Sequence, residues 1–302
     1  MSVKTVVKVM NFHALVRVDK ARREAEKLAS MADADILEGS LRRQIIHTMA
    51  WAMKEELETT GKPGLVCPDS QGCHKDIDYS IMCQCISIFA QQAKEMLASA
   101  RHNLSPMQAI SRAQESAMKI IENMTASANG ANTYRGAVFS LGITAFAYAY
   151  CRLKESEVSV EHWQGTIREM ATHFQPTDET KGGRAVKEFN IKGAINMAQE
   201  GYDFVFHKAV PFYESQTGLD NNSRKLRTLT YIMSEIDDSN LYHRAGADIA
   251  QQIKILAQQT AEEFTPEHLL ALRRYCQEQW VSPGGSADML ILTLFIHAIQ
   301  NR

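Results

Sequence analysis

No apolar run in this chain approaches the ~20 residues needed to cross a bilayer. The longest candidates, Ala137–Tyr150 and Ala287–Ile299, are too short and read as buried helices. Excess charge of one sign is also missing: 33 Lys and Arg face 35 Asp and Glu, for a net charge of -2. A general grip on DNA or RNA needs a concentrated basic face, so nucleic acid is not an expected partner. The cations between Arg17 and Lys27 are interleaved with Asp19, Glu24 and Glu26 and read as a solvated helix face. The 6 cysteines, at 67, 73, 83, 85, 151 and 276, include no C-x-x-C pair and no common zinc spacing. Reduced, mostly buried thiols in a cytoplasmic protein are therefore expected. The N-terminal Met-Ser-Val-Lys lacks the apolar core of a signal peptide, although the scarcity of acids before Asp19 leaves organellar import as an alternative.

Strand-type alternation is nearly absent, with Val3–Val9 the one stretch that would suit a short strand. Helical spacing dominates. It predicts helices over Phe12–Met31, Ile36–Leu57, Asp76–Ala100, Ser105–Met124, Tyr134–Leu153 and Val158–Phe174. A polar loop follows over Gln175–Arg184. Further helices are expected over Ala194–Glu214, Ser223–Ile236, Ala245–Thr260, Pro266–Trp280 and Ser286–Gln300. Ser105–Pro106 and Thr265–Pro266 each place a capping side chain before a proline at the first helical position. No Pro/Ser/Gly linker, low-complexity run or repeat divides the 302 residues. The expected fold is all-α, a single compact multi-helix bundle with long functional loops at one end. Residues 1–50 would form a helical extension packed on the core and residues 51–302 the main domain. Glu58–Lys75 and Gln175–Lys192 are the long loops, a class that tends to carry function.

Three turns stand out: Lys62–Pro63–Gly64–Leu65–Val66 through Gly72–Cys73–His74–Lys75–Asp76; Asn132–Thr133–Tyr134–Arg135–Gly136; and Ser282–Pro283–Gly284–Gly285–Ser286–Ala287–Asp288. Each feeds an apolar helix. Such turns expose backbone N–H groups at a positive helix end, which suits phosphate. Lys62, Lys75, Arg135 and Arg244 lie in or beside glycine-bearing turns and are candidate phosphate ligands, the alternative being surface charges or helix caps. Glu56, Asp76 and Asp238 sit at loop–helix junctions. They are candidates for base duty, and Asp76 and Asp238 for holding the Mg2+ that accompanies a polyphosphate. For Asp76 the plainer alternative is a helix cap.

In order, K-P-G-L-V with G-x-H-K-D, N-T-x-[K/R]-G-A-x-F-S-L-G and S-P-G-G-S-A-D-x-L-x-L-T resemble the triphosphoribosyl-dephospho-CoA synthase family, from about Trp51 to the C-terminus. D-x-N-x-x-x-R is similarly present at Asp238, Asn240 and Arg244. The resemblance implies a pentosyltransferase. It would displace adenine from ATP and pass the 5-triphosphoribosyl group to the 2′-hydroxyl of 3′-dephospho-CoA, making a prosthetic-group precursor for citrate lyase or malonate decarboxylase. It adds His74 to the catalytic candidates Asp238, Asp76 and Glu56. It adds Asn132, Thr133, Asn240, Gly284, Gly285 and Ser286 to the substrate-binding set. The partners it implies are ATP and dephospho-CoA or another hydroxyl acceptor.

The chain departs from the family pattern at four places. Tyr134 stands where the family has histidine, Cys67 where it has an acid, and Ala245 where it has a second glycine. Its R-G-E-A-E run corresponds to Ile195–Asn196–Met197–Ala198–Gln199, unless Lys192–Gly193 replaces the cation–glycine pair across a short insertion. Two consequences are open: transfer to a different acceptor, or a nucleotide-binding scaffold without catalysis. Water as acceptor, giving a glycohydrolase, is a further rival. The amphipathic stretch Phe12–Met31 would serve a homodimer, dock a carrier protein or wrap the protein's own core.

Overall fold

The computed structural model describes residues 39–101 and 104–301. The chain divides into two units, Met1–Gln44 and Ile45–Arg302. The expected helix over Phe12–Met31 and the short strand over Val3–Val9 lie outside the described residues. Among those that are described there is no strand, only one isolated bridge between Cys67 and Ser70. The all-α reading is correct.

Helix α1 spans residues 39–57, and Ile45, Met49, Met53 and Leu57 bury one of its faces at helical spacing. Then come α2 (Tyr79–Ala98), α3 (Pro106–Ser127), α4 (Arg135–Arg152) and α5 (Val160–Ala171). Ser105 caps α3 in a full capping box with Gln108, and Thr265 caps α11 (Pro266–Glu278); in both, proline follows the cap. Asp78, not Asp76, caps α2: its carboxylate accepts from the Ile81 N–H at 2.9 Å.

The stretch expected to be a loop from Gln175 contains α6 (Lys181–Phe189), capped by Thr180 and ended by Asn190 in the left-handed region. The single helix expected over Ala194–Glu214 is in fact broken. Here α7 (Ala194–Gln199) stops at Gly201 and Tyr202, both at positive φ. A π-helical turn (Val205–Ala209) then leads into α8 (Val210–Ser215). Pro211 explains the wide turn, because a proline has no N–H to close a regular helical bond. Next are α9 (Asn221–Glu235) and α10 (Ser239–Glu262). Gly246 (φ 80°) kinks α10 in a conformation that would strain any side chain, one residue beyond the expected start at Ala245.

The centre is built from α4 and α12 (Gly284–Gln300), which pack on each other and are apolar nearly all round, as a fully enclosed helix must be. α9 pairs with α10, α2 with α3, and α10 carries α6. No helix among the described residues is long and apolar enough to cross a membrane.

Candidate active site

The three motif turns meet. Gly64, at φ 65°, sits so close to the Val281 carbonyl that any side chain there would collide with it; this joins the first turn to the third. The Cys73 N–H donates to the Gly64 carbonyl at 3.0 Å and folds the first turn shut. Gly136, in the second turn, faces the carboxylate of Asp288 in the third. Gly284 and Gly285 lie against Asn240 and Asp238. These contacts surround a cavity of about 1520 Å³. Pockets for one drug-sized ligand occupy roughly 300–1,000 Å³, so this one has room for two substrates.

Most of the sequence-predicted residues are on its wall. The carboxylates Glu56, Asp76 and Asp238 are there, as are His74, Arg135 and Arg244. Asn132, Thr133, Asn240, Gly284 and Gly285 complete that set. Three predicted residues are not on the wall. Lys62 is 4% exposed, donates to the Glu56 carbonyl at 2.7 Å and pairs with the Glu56 carboxylate, so its charge is spent inside the fold. Lys75 is exposed and lies over the Trp280 ring at 5.8 Å. Ser286 is fully buried, and its N–H and Oγ donate to Asp238 at 2.7 and 2.9 Å.

Asp238 is thus a structural clasp. It caps α10 by accepting from the Asn240 N–H at 3.0 Å and ties that helix to α12 through Ser286. Burial pushes its carboxyl up, and donors from Ser286, Asn240 and Gly285 pull it back. With both oxygens engaged, Asp238 does not fit the metal-ligand role expected of it. Among the described residues no group of three or more His, Cys, Asp or Glu could hold a metal ion. Asp76 is exposed on the wall and remains open to a cation carried in by phosphates.

Asp288 was not among the candidates, although it closes the third motif. It lies half-buried on the wall. Burial, then the charges of Asp238 and Glu56, push its carboxyl well above the usual carboxylate range, against one amide donor from Ala137. Such a shift favours the protonated form of the carboxyl. Burial and the nearby Glu56 carboxylate likewise push the Tyr134 phenol well up. The Tyr134 hydroxyl is buried on the wall and finds no hydrogen-bond partner, so it is a donor ready for a ligand. His74 is lowered to about 4 by burial and by Arg244, against Asp76, and is neutral at physiological pH.

Lys181 and Arg184 also reach the wall; helix α6 presents them, and the reading of that stretch as loop hid them. Ile195, Asn196 and Met197, uncharged where the family pattern has a charged run, line the cavity too.

The ATP:dephospho-CoA triphosphoribosyl transferase family model matches residues 42–302. A protein of Acinetobacter calcoaceticus named probable 2-(5''-triphosphoribosyl)-3'-dephosphocoenzyme-A synthase is 27% identical over 267 residues, 83% of this chain and 89% of its own length. A protein of Malonomonas rubra with the same name is 28% identical over 271 residues, 81% of this chain and 84% of its own. The protein CitXG of Leuconostoc mesenteroides subsp. cremoris is 31% identical over 277 residues, 84% of this chain and 58% of its own. No solved structure matches. With the family match spanning the whole second unit and its cavity, this chain belongs to the ATP:dephospho-CoA triphosphoribosyl transferase family.

Proposed function

We propose that the chain transfers the 5-triphosphoribosyl group of ATP to the 2′-hydroxyl of 3′-dephospho-CoA and releases adenine. The observation that carries this reading is the meeting of three phosphate-suited turns around one cavity, with the Asp288 carboxyl among them.

The acceptor oxygen forms a bond to C1′ of the ATP ribose as the C1′–N9 bond breaks. The electron pair of that bond leaves on adenine, and the acceptor's proton passes to a base. Adenine leaves more easily when protonated, and Asp288 is the group that can supply that proton. Positive charge builds on the ribose, and the carboxylate of Glu56, held by Lys62, offsets it. Asp76 is the wall carboxylate open to receive the acceptor's proton. Arg135, Arg244, Lys181 and Arg184 clamp the phosphates, so that fixed orientation supplies much of the acceleration. Magnesium carried in with ATP would be held beside Asp76 and would supply charge neutralisation for the phosphates. Six free cysteines and the absence of a membrane-crossing helix among the described residues support a cytoplasmic setting. By family resemblance the product serves acyl-carrier prosthetic groups.

Ile195 and Met197 on the wall favour one alternative, the same ATP chemistry on another hydroxyl acceptor. Mass analysis of a reaction of the protein with magnesium-ATP and dephospho-CoA tests both. A product heavier than dephospho-CoA by one triphosphoribosyl group, with free adenine, is expected. Adenine with free triphosphoribose in place of that product would mean that water is the acceptor, and no adenine at all would end transfer to dephospho-CoA and leave only a different hydroxyl acceptor.

A further inference from the structure

The cavity is larger than a nucleotide's phosphates and sugar require, and one limb of it has a different chemistry. α3 and α4 are joined by a short turn and run antiparallel, with Thr125 and Arg135 at one end and Ile110 and Phe146 at the other. Both helices turn apolar side chains toward the cavity. On α3 these are Ile110, Ala113, Ala117 and Ile121, spaced three and four residues apart along one face. The wall along α3 continues to Thr125, fifteen residues from Ile110, so the limb is ~22 Å long.

Its lining is small in side-chain volume at Ala113 and Ala117 of α3 and at Val138 and Gly142 of α4, with Met96 of α2 against Gly142. Met118, at the rim, is 42% exposed, unusual for a large apolar side chain. One polar pair interrupts the apolar lining, Gln114 Oε1 and His173 Nε2 at 2.8 Å. Beside it the Phe139 and Phe174 rings meet edge to face at 5.1 Å.

We propose that this limb holds the pantetheine arm of the acceptor. The inference rests on dephospho-CoA being the acceptor and adds where its arm lies. The acceptor's diphosphate would sit at Arg135, where α4 begins, and the arm would run along α3 toward Ile110. An extended chain of methyl and methylene groups with amides at intervals matches an apolar groove that carries a single amide–imidazole pair. Neither the purine nor the triphosphate of ATP has that shape or chemistry. The groove therefore sets acceptor specificity, while the polar end handles the donor.

ADP tests this, because it keeps the acceptor ribose and diphosphate but has no arm. Turnover with saturating ATP and equilibrium binding by calorimetry are measured for dephospho-CoA and for ADP, in the natural protein and in Ala117→Trp. The natural protein is expected to favour dephospho-CoA by at least ~100-fold in kcat/KM, since each buried methylene contributes appreciably. Ala117→Trp should bring dephospho-CoA down to the level of ADP and leave the KM for ATP unchanged. Equal use and equal binding of ADP and dephospho-CoA by the natural protein would overturn the proposal, whether or not the variant folds. So would a folded Ala117→Trp protein that keeps full preference, which would mean the groove is filled by another segment of the chain. Tight dephospho-CoA binding that Ala117→Trp weakens, without transfer, would retire the transferase reading and support the groove.

Discussion

The carboxylate of Asp288 occupies the space that a side chain on Gly136 would take. Gly136 lies in the first turn of α4 and Asp288 in the second turn of α12, so the two central helices set the position of the acid between them. Gly136→Ala should displace Asp288 and leave the backbone intact, because Gly136 has an ordinary helical conformation. Alanine gains about 1 kcal/mol of helix propensity, which offsets part of the crowding cost of about 1–3 kcal/mol. A melting temperature close to the natural protein's is expected, with kcat lower by ~100-fold, the scale of a catalytic group misplaced by an ångström. Unchanged kcat in the folded variant would show that the position of Asp288 does not matter.

Asp288→Asn keeps the shape and loses the proton. If Asp288 protonates adenine, kcat should fall by ~10²–10⁴-fold. The carboxyl is raised, so the acid form is present below its folded pKa and is lost as pH rises through it. The natural enzyme should therefore lose activity on the alkaline side, and Asp288→Asn should lack that limb. Stability has the same sign: what the protonated carboxyl contributes is complete below the unfolded pKa and declines as pH rises through the folded one. Denaturant midpoints of Asp288→Asn should accordingly exceed those of the natural protein at alkaline pH.

Sequence alone showed the helices whose ends are written locally. Ser105–Pro106 and Thr265–Pro266 start α3 and α11 where their caps said they would. α4 and α12 were legible as buried because they are apolar nearly all round. Helix α6 was not, because Gly182 and Gly183 read as loop, whereas they let its first turn press against Ser239 and the Thr177 carbonyl. The motif turns were found, but the division of labour inside them was not. Lys62 looked like a free cation until the turn folded it back onto Glu56. Asp288 looked like the tail of a motif until Gly136 was seen to face it. Such roles depend on partners distant in sequence, which no local pattern records.

His74 should make the protein sensitive to acid. Its folded value is lowered to about 4 from 6.5, so the stability it contributes is present above 6.5 and is lost as pH falls toward 4. His74→Gln should flatten this part of the stability profile, measured by urea denaturation at a series of pH values. A variant with the natural slope between pH 6.5 and 4 would show that His74 takes up its proton freely in the folded state.

Trp280 ends α11 in the left-handed region at φ 51°, where the Trp280 and Val281 N–H groups bond back to the carbonyls of Gln277 and Cys276. Glycine is the usual residue at such a helix end, and tryptophan there costs on the order of 1 kcal/mol. The ring is 45% exposed at the cavity, so little packing offsets the strain. Trp280→Gly should raise the melting temperature by a few degrees, ~4 °C per kcal/mol for a chain of this size or less. A lower melting temperature would mean that the ring's contacts, including the one with Lys75, outweigh the strain.

The buried pair of Lys62 and Glu56 separates folding from chemistry. Their side chains are 1% and 3% exposed. Removing one partner strands a buried charge, at a cost of about 3–5 kcal/mol, whereas replacing both by apolar residues is often neutral. Lys62→Met should therefore destabilise strongly, and Lys62→Met with Glu56→Leu should regain most of the lost stability. Activity should not return with it, because Glu56 faces the cavity and supplies the charge that offsets the developing cation. Thermal denaturation and adenine release, measured on the same three proteins, distinguish the two effects. A double variant that is stable and fully active would remove Glu56 from the chemistry and leave the pair a purely structural device.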